Sequence, residues 1–312
     1  PCAVIKHGSQ AIYALARPDA EVFLAQALRV ESWAALRSER APEILAQIGP
    51  PMEFWSSVVN LSGNHAPYTR ELILVALRFA SCVVQQLKFM LPVPRPADFS
   101  PRIQPMIEAP PFLAYPSGHA TQAFMVAKLL VTLIRGVDPK QNPQVRLGGL
   151  HKNQDPSPPP RPPLPAIVGE LDVQLFRQAE RIATNRVVAG VHFPIDSAAG
   201  CSLGLTLGEY FAQRCSGAEA RYRRFVPPKG GTKDWHACDF ELKPYVQTTL
   251  SGEPPDPATP EVQFPGATTG ETLTLDPPGT PFFPNQPPEK RLTPLSWLWR
   301  QAAREWHEVG HE

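Results

Sequence analysis

Apolar residues along this chain recur mainly at the spacing of α-helices. Residues 18–48 carry them three and four positions apart, and residues 52–61 predict a shorter helix. Residues 68–89 form the longest apolar stretch and are hydrophobic nearly all round. That pattern is typical of a helix in the middle of a bundle, and a run of prolines ends it.

Three further helices are predicted in the second half of the apolar region. Ser117 is a natural N-cap and Gly136 a stop signal for a helix over residues 117–134. Apolar stretches predict two more helices over residues 171–188 and 195–211. No run of residues alternates convincingly enough to predict a strand. The predicted fold class is therefore all-α, a helical bundle.

Proline marks the irregular parts of the chain. There are 39 prolines among 312 residues, well over twice the usual frequency of roughly 5%. Residues 139–165 predict a proline-rich inserted loop, and residues 251–290 predict an extended surface arm. Residues 158–165 also have the composition of a segment that docks in an aromatic groove, although a surface loop is the simpler interpretation.

These shifts in composition divide the chain into two parts. The first is a helical bundle over residues 1–224, and the second is a proline-rich arm over residues 225–312 that ends in an amphipathic helix, residues 294–308. The tryptophans and arginines of that helix suit a membrane surface. We expect it instead to pack on the bundle or on a second subunit, which would make a homo-oligomer through the arm.

Charge, cysteine and hydropathy limit the partners of the chain. A net charge of +1 provides no chain-wide basic field for nucleic acid. The five cysteines show no metal-binding spacing. Residues 71–89 and 120–134 are the most apolar stretches, but each contains a charge, and the second is shorter than the roughly 20 residues of a membrane span. We expect a soluble protein.

The compartment stays undetermined between cytoplasmic and periplasmic or secreted. The chain begins at Pro1 without an initiator Met, so an upstream signal could have been removed or left out.

Candidate chemistry lies in three short blocks at predicted helix boundaries. The first joins Lys88, on the last turn of the long helix, to Arg95 after a proline-stiffened loop. An ammonium and a guanidinium are complementary groups for binding an oxyanion. The second block is Pro116-Ser117-Gly118-His119, whose first-turn amides form a ready anion site.

The third block supplies a reactive histidine. Arg186 precedes His192, and Asp196 lies four residues further on, where its carboxylate can fix the tautomer of the His192 ring. Each block alone also fits an ordinary helix end, N-cap or core histidine. Because all three supply complementary groups, we interpret them together as one site for a tetrahedral oxyanion, either phosphate or vanadate.

The combined pattern resembles a known superfamily. Lys88-x6-Arg95-Pro96, Pro116-Ser117-Gly118-His119 and Arg186-x5-His192-x3-Asp196 are similar, in order, to the motifs of type 2 phosphatidic acid phosphatases, bacterial non-specific acid phosphatases and vanadium-dependent haloperoxidases. The resemblance spans roughly residues 50–212. It implies the helical bundle of the acid phosphatase and vanadium haloperoxidase type.

The resemblance also implies a role for each residue. Five residues would bind the oxyanion: Lys88, Arg95, Ser117, Gly118 and Arg186. His192 would be the nucleophile of a phosphatase or the ligand to vanadium in a haloperoxidase. His119 would be the general acid–base, and Asp196 would orient His192.

Local details favour the haloperoxidase branch. Phe112, five residues before the serine, and Phe193, directly after the histidine, resemble that branch and predict an apolar wall for a halide. The alternative is that both are core aromatics. Against this branch, Gln85 stands where one chloride-oxidising group carries tryptophan, and the chain is shorter than characterised haloperoxidases.

Two activities therefore follow from the resemblance. The first is a vanadate-dependent haloperoxidase that oxidises halide with hydrogen peroxide to a hypohalous acid equivalent, with vanadate ligated by His192. The alternative is a soluble acid phosphatase that needs no cofactor and cleaves phosphomonoesters through a phospho-His192 intermediate. Small molecules are the expected substrates in both cases, and lipid phosphates are less expected because no spanning helices are predicted.

Overall fold

The computed structural model describes residues 1–136, 167–216, 220–225, 239–240, 267–273 and 293–308. These residues are mainly helical, which confirms the predicted fold class. The helices are α1 (Ala20–Trp33), α2 (Arg37–Ala46), α3 (Met52–Ser56), α4 (Pro67–Met90), α5 (Pro96–Phe99), α6 (Gly118–Gly136), α7 (Ile167–Val188), α8 (Pro194–Ser216) and α9 (Pro294–Glu308). The predicted loop over residues 139–165 lies outside the described residues.

α6 and α8 form the centre of the bundle. Almost every residue of α8 is buried, and α6 packs against α4, α7 and α8. Glycines on α8 allow this close approach, since a Cβ at Gly200 would lie 2.8 Å from the Cβ of Ala120. A Cβ at Gly204 would lie 2.9 Å from the Cβ of Phe124. The two helix backbones therefore lie closer together than larger side chains would permit.

A small sheet lies beside the bundle, and the sequence prediction that no strands are present was wrong. β1 (Cys2–His7) and β2 (Gln10–Ala16) form an antiparallel hairpin. β3 (Ala220–Phe225) pairs parallel to β2, and β4 (Ala267–Leu273) pairs antiparallel to β3. β4 falls within the predicted extended arm, whose other residues are outside the described part.

The strands carry no alternating pattern for a physical reason. Four consecutive residues of β2, Ile12 to Leu15, are buried, so the strand reads as a continuous apolar run. β3 is rich in arginine, and its Arg223 is held by a bidentate contact with Glu209 of α8, at 2.8 and 2.9 Å. Neither strand therefore resembles one that is half exposed to water.

α9 packs on the bundle of its own chain, one of the two positions expected for it. Leu298, Trp299 and Ala302 are buried in the main core. The Glu305 carboxylate accepts hydrogen bonds from the backbone amides of Tyr68 (2.7 Å) and Thr69 (2.9 Å). These amides belong to the first turn of α4, where a negative charge is stabilising.

α4 is long and apolar enough to cross a bilayer, with a mean hydropathy of 1.5 over a window of 18 residues. It is the one such helix among the described residues. Half of that window is buried against the rest of the protein. A core helix has the same length and composition, so this property does not indicate a membrane span.

Candidate active site

Lys88 and Arg95 both donate hydrogen bonds to the loop that precedes α6. The Lys88 ammonium, buried at the end of α4, donates to the carbonyl oxygens of Leu113 and Ala114, the latter at 2.8 Å. Nε of Arg95 donates to the carbonyl oxygen of Phe112 at 2.8 Å. The two predicted cations thus lie beside one segment, which places the first block against the second.

The start of α6 is joined to the third block by the backbone. The Ser117 amide donates to the carbonyl oxygen of Asp196 at 3.0 Å. Ser117 Oγ accepts from the Ala120 amide at 3.3 Å, which is the predicted N-cap contact. The amides of Gly118 and His119 have no acceptor among the described residues, as the first turn of a helix leaves them without an intrahelical partner.

His192 is held by contacts at both ring nitrogens. Its Nδ1 lies 2.9 Å from Asp196 Oδ2, and its Nε2 lies 3.0 Å from Nη1 of Arg95. Asp196 Oδ2 also accepts from the Phe193 amide at 2.9 Å. Since Oδ2 of Asp196 already accepts from an amide and the Arg95 guanidinium can only donate, we assign the proton of His192 to Nδ1. Nε2 then keeps a lone pair on the side of the cations.

The turn before His192 depends on glycine. Gly190 has a φ of 79°, and a Cβ there would lie 2.7 Å from Nη2 of Arg37. Arg37 itself donates from Nε to the carbonyl oxygen of Val188 at 2.9 Å. A larger residue at position 190 would be strained and would displace the arginine, so α2 and the turn fix the approach of His192 together.

The remaining two predicted residues meet at the C-terminal end of α2. Nε2 of His119 donates to the carbonyl oxygen of Gln47 at 3.0 Å. Nη2 of Arg186 donates to the carbonyl oxygen of Ile44 at 3.0 Å and lies 3.2 Å from Gln47 Oε1. Nε and Nη1 of Arg186 are buried and have no hydrogen-bond partner among the described residues. These two nitrogens carry three of the five N–H bonds of the guanidinium, which therefore retains donors for a ligand.

Excess positive charge dominates the site. Burial, reinforced by Arg95, lowers the pKa of Lys88 to about 7. Burial lowers the pKa of Arg186 to about 10. Burial also raises the pKa of Asp196 to about 7, against the opposing effects of the Phe193 amide and the neighbouring cations. Cations brought together with so little compensating charge favour an anion between them.

Burial and nearby positive charge also lower the pKa values of the two histidines of the site. After burial, the charges that lower the pKa of His192 come from Arg95, Lys88, His119 and Arg186. Burial, followed by the charge of Arg186, lowers the pKa of His119 to about 4. Both rings are therefore neutral at pH 7. Residues from all three blocks act on one another, so the structure brings the blocks to a single buried cluster, while their catalytic roles stay predictions.

Two aromatic residues predicted for the halide pocket have different surroundings. Phe193 is fully buried, and its ring centroid lies 5.2 Å from that of Phe23 and 5.4 Å from that of Phe99. These contacts favour the alternative that it is a core aromatic, and its role in a halide pocket stays a prediction. Phe112 is 50% exposed on the loop held by Arg95, and its role stays a prediction.

Sequence reasoning missed Gln47 and Ile44, which contact His119 and Arg186 from α2. Both lie far from the three blocks in sequence, and neither belongs to a motif. A single glutamine after a helix carries no signal of this kind. Asn185 contacts the same glutamine, because its Nδ2 donates to Gln47 Oε1 at 3.0 Å.

The chain also has a match among known protein families. Residues 72–215 match the family model of the PAP2 superfamily. This part of the chain is therefore similar to the PAP2 superfamily, whose members are generally enzymes and include phosphatases and vanadium haloperoxidases. No curated protein matches the chain.

Proposed function

We propose that the protein is a phosphomonoester hydrolase that acts through a covalent intermediate on Nε2 of His192. The single observation that carries this proposal is the orientation of His192, whose Nε2 is assigned no proton and lies beside Arg95. Asp196 holds the ring from Nδ1 at 2.9 Å, and Nε2 is directed toward the guanidinium of Arg95. An oriented, neutral imidazole among buried cations is a nucleophile placed beside a phosphate site.

Each step uses groups of this chain. Lys88, Arg95 and Arg186 bind the phosphate oxygens, and Ser117 and the amide of Gly118 add donors. Nε2 of His192 attacks phosphorus while the bond to the leaving oxygen breaks, and His119 gives that oxygen a proton. Water then attacks the phosphohistidine and returns a proton to His119, which releases orthophosphate and restores the enzyme.

The low pKa of His119 is compatible with a general acid. Burial holds it at about 4 without an anion, whereas a bound phosphate dianion stabilises the protonated ring and raises its pKa. Nε2 donates to the carbonyl oxygen of Gln47, so the proton that is transferred sits on Nδ1. The acid is therefore charged mainly when substrate is present.

A vanadate-dependent haloperoxidase is the second candidate, and two observations support it. Gly190-Val191-His192-Phe193 resembles that branch, and Phe112 exposes half of its surface beside Arg95. The donor set suits vanadate as well as phosphate, since Arg186 has buried N–H groups that no described residue accepts from. The same five residues would hold vanadate, with Nε2 of His192 as its ligand. Bound vanadate would supply the activation of hydrogen peroxide toward halide.

We rank this candidate second because its apolar wall is weaker than predicted. Phe193 packs in the core, which leaves Phe112 alone on the side of a halide. His119 would serve this reaction as the base that accepts a proton from peroxide. Phosphate hydrolysis requires no such apolar surface.

Parallel assays separate the two activities. Purified protein is incubated with para-nitrophenyl phosphate without vanadate, and separately with orthovanadate, hydrogen peroxide, bromide and monochlorodimedone. The proposal predicts phosphate release that is abolished in His192→Ala and retained in His65→Ala, an exposed loop histidine. Bromination that depends on His192, without phosphate release, would establish the second candidate instead. Inactivity in both assays would contradict both.

A further inference from the structure

Gln47 is a buried glutamine that touches two of the predicted site residues at once. It follows α2 directly and is fully buried. Its main-chain carbonyl oxygen accepts from His119, and its side-chain Oε1 lies 3.2 Å from Nη2 of Arg186. It also lies outside residues 72–215, the part that matches the superfamily. The N-terminal segment therefore reaches into a site that is otherwise built by the matched region.

The orientation of the Gln47 amide is fixed by its neighbours. Its Nε2 donates to Glu43 Oε1 at 3.1 Å, and a carboxylate oxygen only accepts. The Glu43 carboxylate is held in turn by Arg181, at 2.9 Å. The amide oxygen must therefore face Arg186 and Asn185, and a flipped amide would place two donors against them.

These contacts orient the Arg186 guanidinium without neutralising its charge. The carbonyl oxygen of Ile44 and Oε1 of Gln47 both accept from Nη2 of Arg186, which leaves Nε and Nη1 for a ligand. Both acceptors are neutral oxygens at the C-terminal end of α2, where the helix dipole is negative. A carboxylate in the same place would pair with the guanidinium and compete with a bound anion.

We propose that Gln47 is a positioning residue of the oxyanion site, which orients Arg186 through its side chain and His119 through its backbone. The inference deepens the proposed function and rests on it only in so far as the site binds a phosphate-like oxyanion. It makes α2, and not the matched region alone, a determinant of anion affinity.

Binding of orthophosphate, measured by titration calorimetry without turnover, tests this role. Gln47→Met keeps the volume of the side chain and removes its oxygen, so orthophosphate should bind about tenfold more weakly. Gln47→Glu keeps the oxygen and adds a charge, so it should weaken binding at least as much. Gln213→Ala is the matched control, a buried glutamine at the far end of α8 from Asp196, and it should bind as the wild type does.

Thermal unfolding of each variant separates positioning from folding. Gln47→Met that melts like Gln213→Ala but binds orthophosphate weakly supports the inference. If Gln47→Met fails to fold, Gln47→Glu decides through its added charge, because it keeps an oxygen facing Arg186 but loses the donor to Glu43. Binding within about twofold of the wild type in every folded Gln47 variant would overturn the inference.

The outcome also distinguishes this inference from the proposed function. Wild-type protein that binds orthophosphate but hydrolyses no phosphomonoester would refute the hydrolase, while the Gln47 variants would still test the positioning role. Wild-type protein that hydrolyses, together with variants that bind normally, would refute the positioning role alone. Wild-type protein that binds no orthophosphate would refute both.

Discussion

At the scale of single residues, Asp196 fixes the orientation of the His192 ring. Its Oδ2 accepts hydrogen bonds from Nδ1 of His192 and from the Phe193 amide, both at 2.9 Å. A carboxylate in this position fixes the tautomer and stabilises positive charge that develops on the ring. In the proposed reaction, the reactivity of His192 would therefore depend on a residue that need not touch the substrate.

Replacing Asp196 with asparagine tests this dependence. Asp196→Asn removes the charge that stabilises the ring, so the turnover number should fall about 10- to 100-fold. The Michaelis constant should change less, because the cations that bind the oxyanion are retained. Steady-state kinetics with para-nitrophenyl phosphate measure both quantities. Asp19→Asn, an exposed carboxylate before α1, is the control, and equal losses in the two variants would contradict the assigned role.

The lowered pKa of Lys88 predicts that anion binding depends on pH. Its pKa of about 7 lies below the ordinary value, mainly through burial, so the free site loses this charge as pH rises above 7. A bound anion favours the ammonium, and binding at pH 8 should therefore take up protons. Orthophosphate affinity should fall as pH rises from 7 to 9.

Calorimetry in two buffers of different ionisation enthalpy measures this proton uptake. Lys88→Arg stays protonated over the same range, so its affinity should fall less steeply and its proton uptake at pH 8 should be smaller. Identical pH profiles for the wild type and Lys88→Arg would show that Lys88 does not titrate near 7.

The sequence alone could predict some of these residues and not others. His119, His192 and Asp196 lie within short motifs, so their types and spacing could be interpreted directly. Phe193 also lies in a motif, but the sequence does not show that its side chain turns into the core beside Phe23. Gln47 acts through tertiary contact alone and could not be predicted.

At the scale of elements, the glycines of α8 control the distance between α6 and α8. A Cβ at Gly204 would meet the carbonyl oxygen of Thr121 and would lie 2.9 Å from the Cβ of Phe124. The Thr121 oxygen belongs to the backbone and cannot move alone. Since Ser117 and His119 begin α6 and Asp196 begins α8, the same packing sets the position of the site.

Gly204→Ala should therefore destabilise the fold. Forcing the two helices apart should lower the free energy of unfolding by about 1–3 kcal/mol, as overpacking in a core does. Urea unfolding followed by circular dichroism measures the change. Gly63→Ala, where a Cβ meets nothing within 4 Å, is the control. A Gly204→Ala variant as stable as this control would contradict the packing argument.

Elements differed in how well their patterns predicted them. α4, α6 and α8 carry long apolar stretches, and each was predicted close to its observed position. α3 ends at Ser56, whereas helix was predicted to residue 61, because boundaries of short helices depend on tertiary contacts. β2 was missed since its consecutive buried residues do not alternate.

At the scale of the whole molecule, segments distant in sequence support the matched region. α9 places Glu305 on the first turn of α4, and α2 places Gln47 against His119 and Arg186. β3 joins α8 through Arg223 and Glu209, and the same glutamate lies 3.2 Å from the Lys128 ammonium of α6. The site is therefore held in place by elements from both ends of the described chain.

The central claim is that the three motif-bearing segments form one oxyanion site, whichever reaction it performs. A crystal structure of the protein soaked with orthovanadate tests it most directly, because vanadate imitates phosphate and the anomalous signal locates vanadium. We expect vanadium bonded to Nε2 of His192, with Arg95 and Arg186 directed at its oxygens. Vanadium bound elsewhere, or side chains of Arg95, His119 and His192 on separate surfaces, would contradict it.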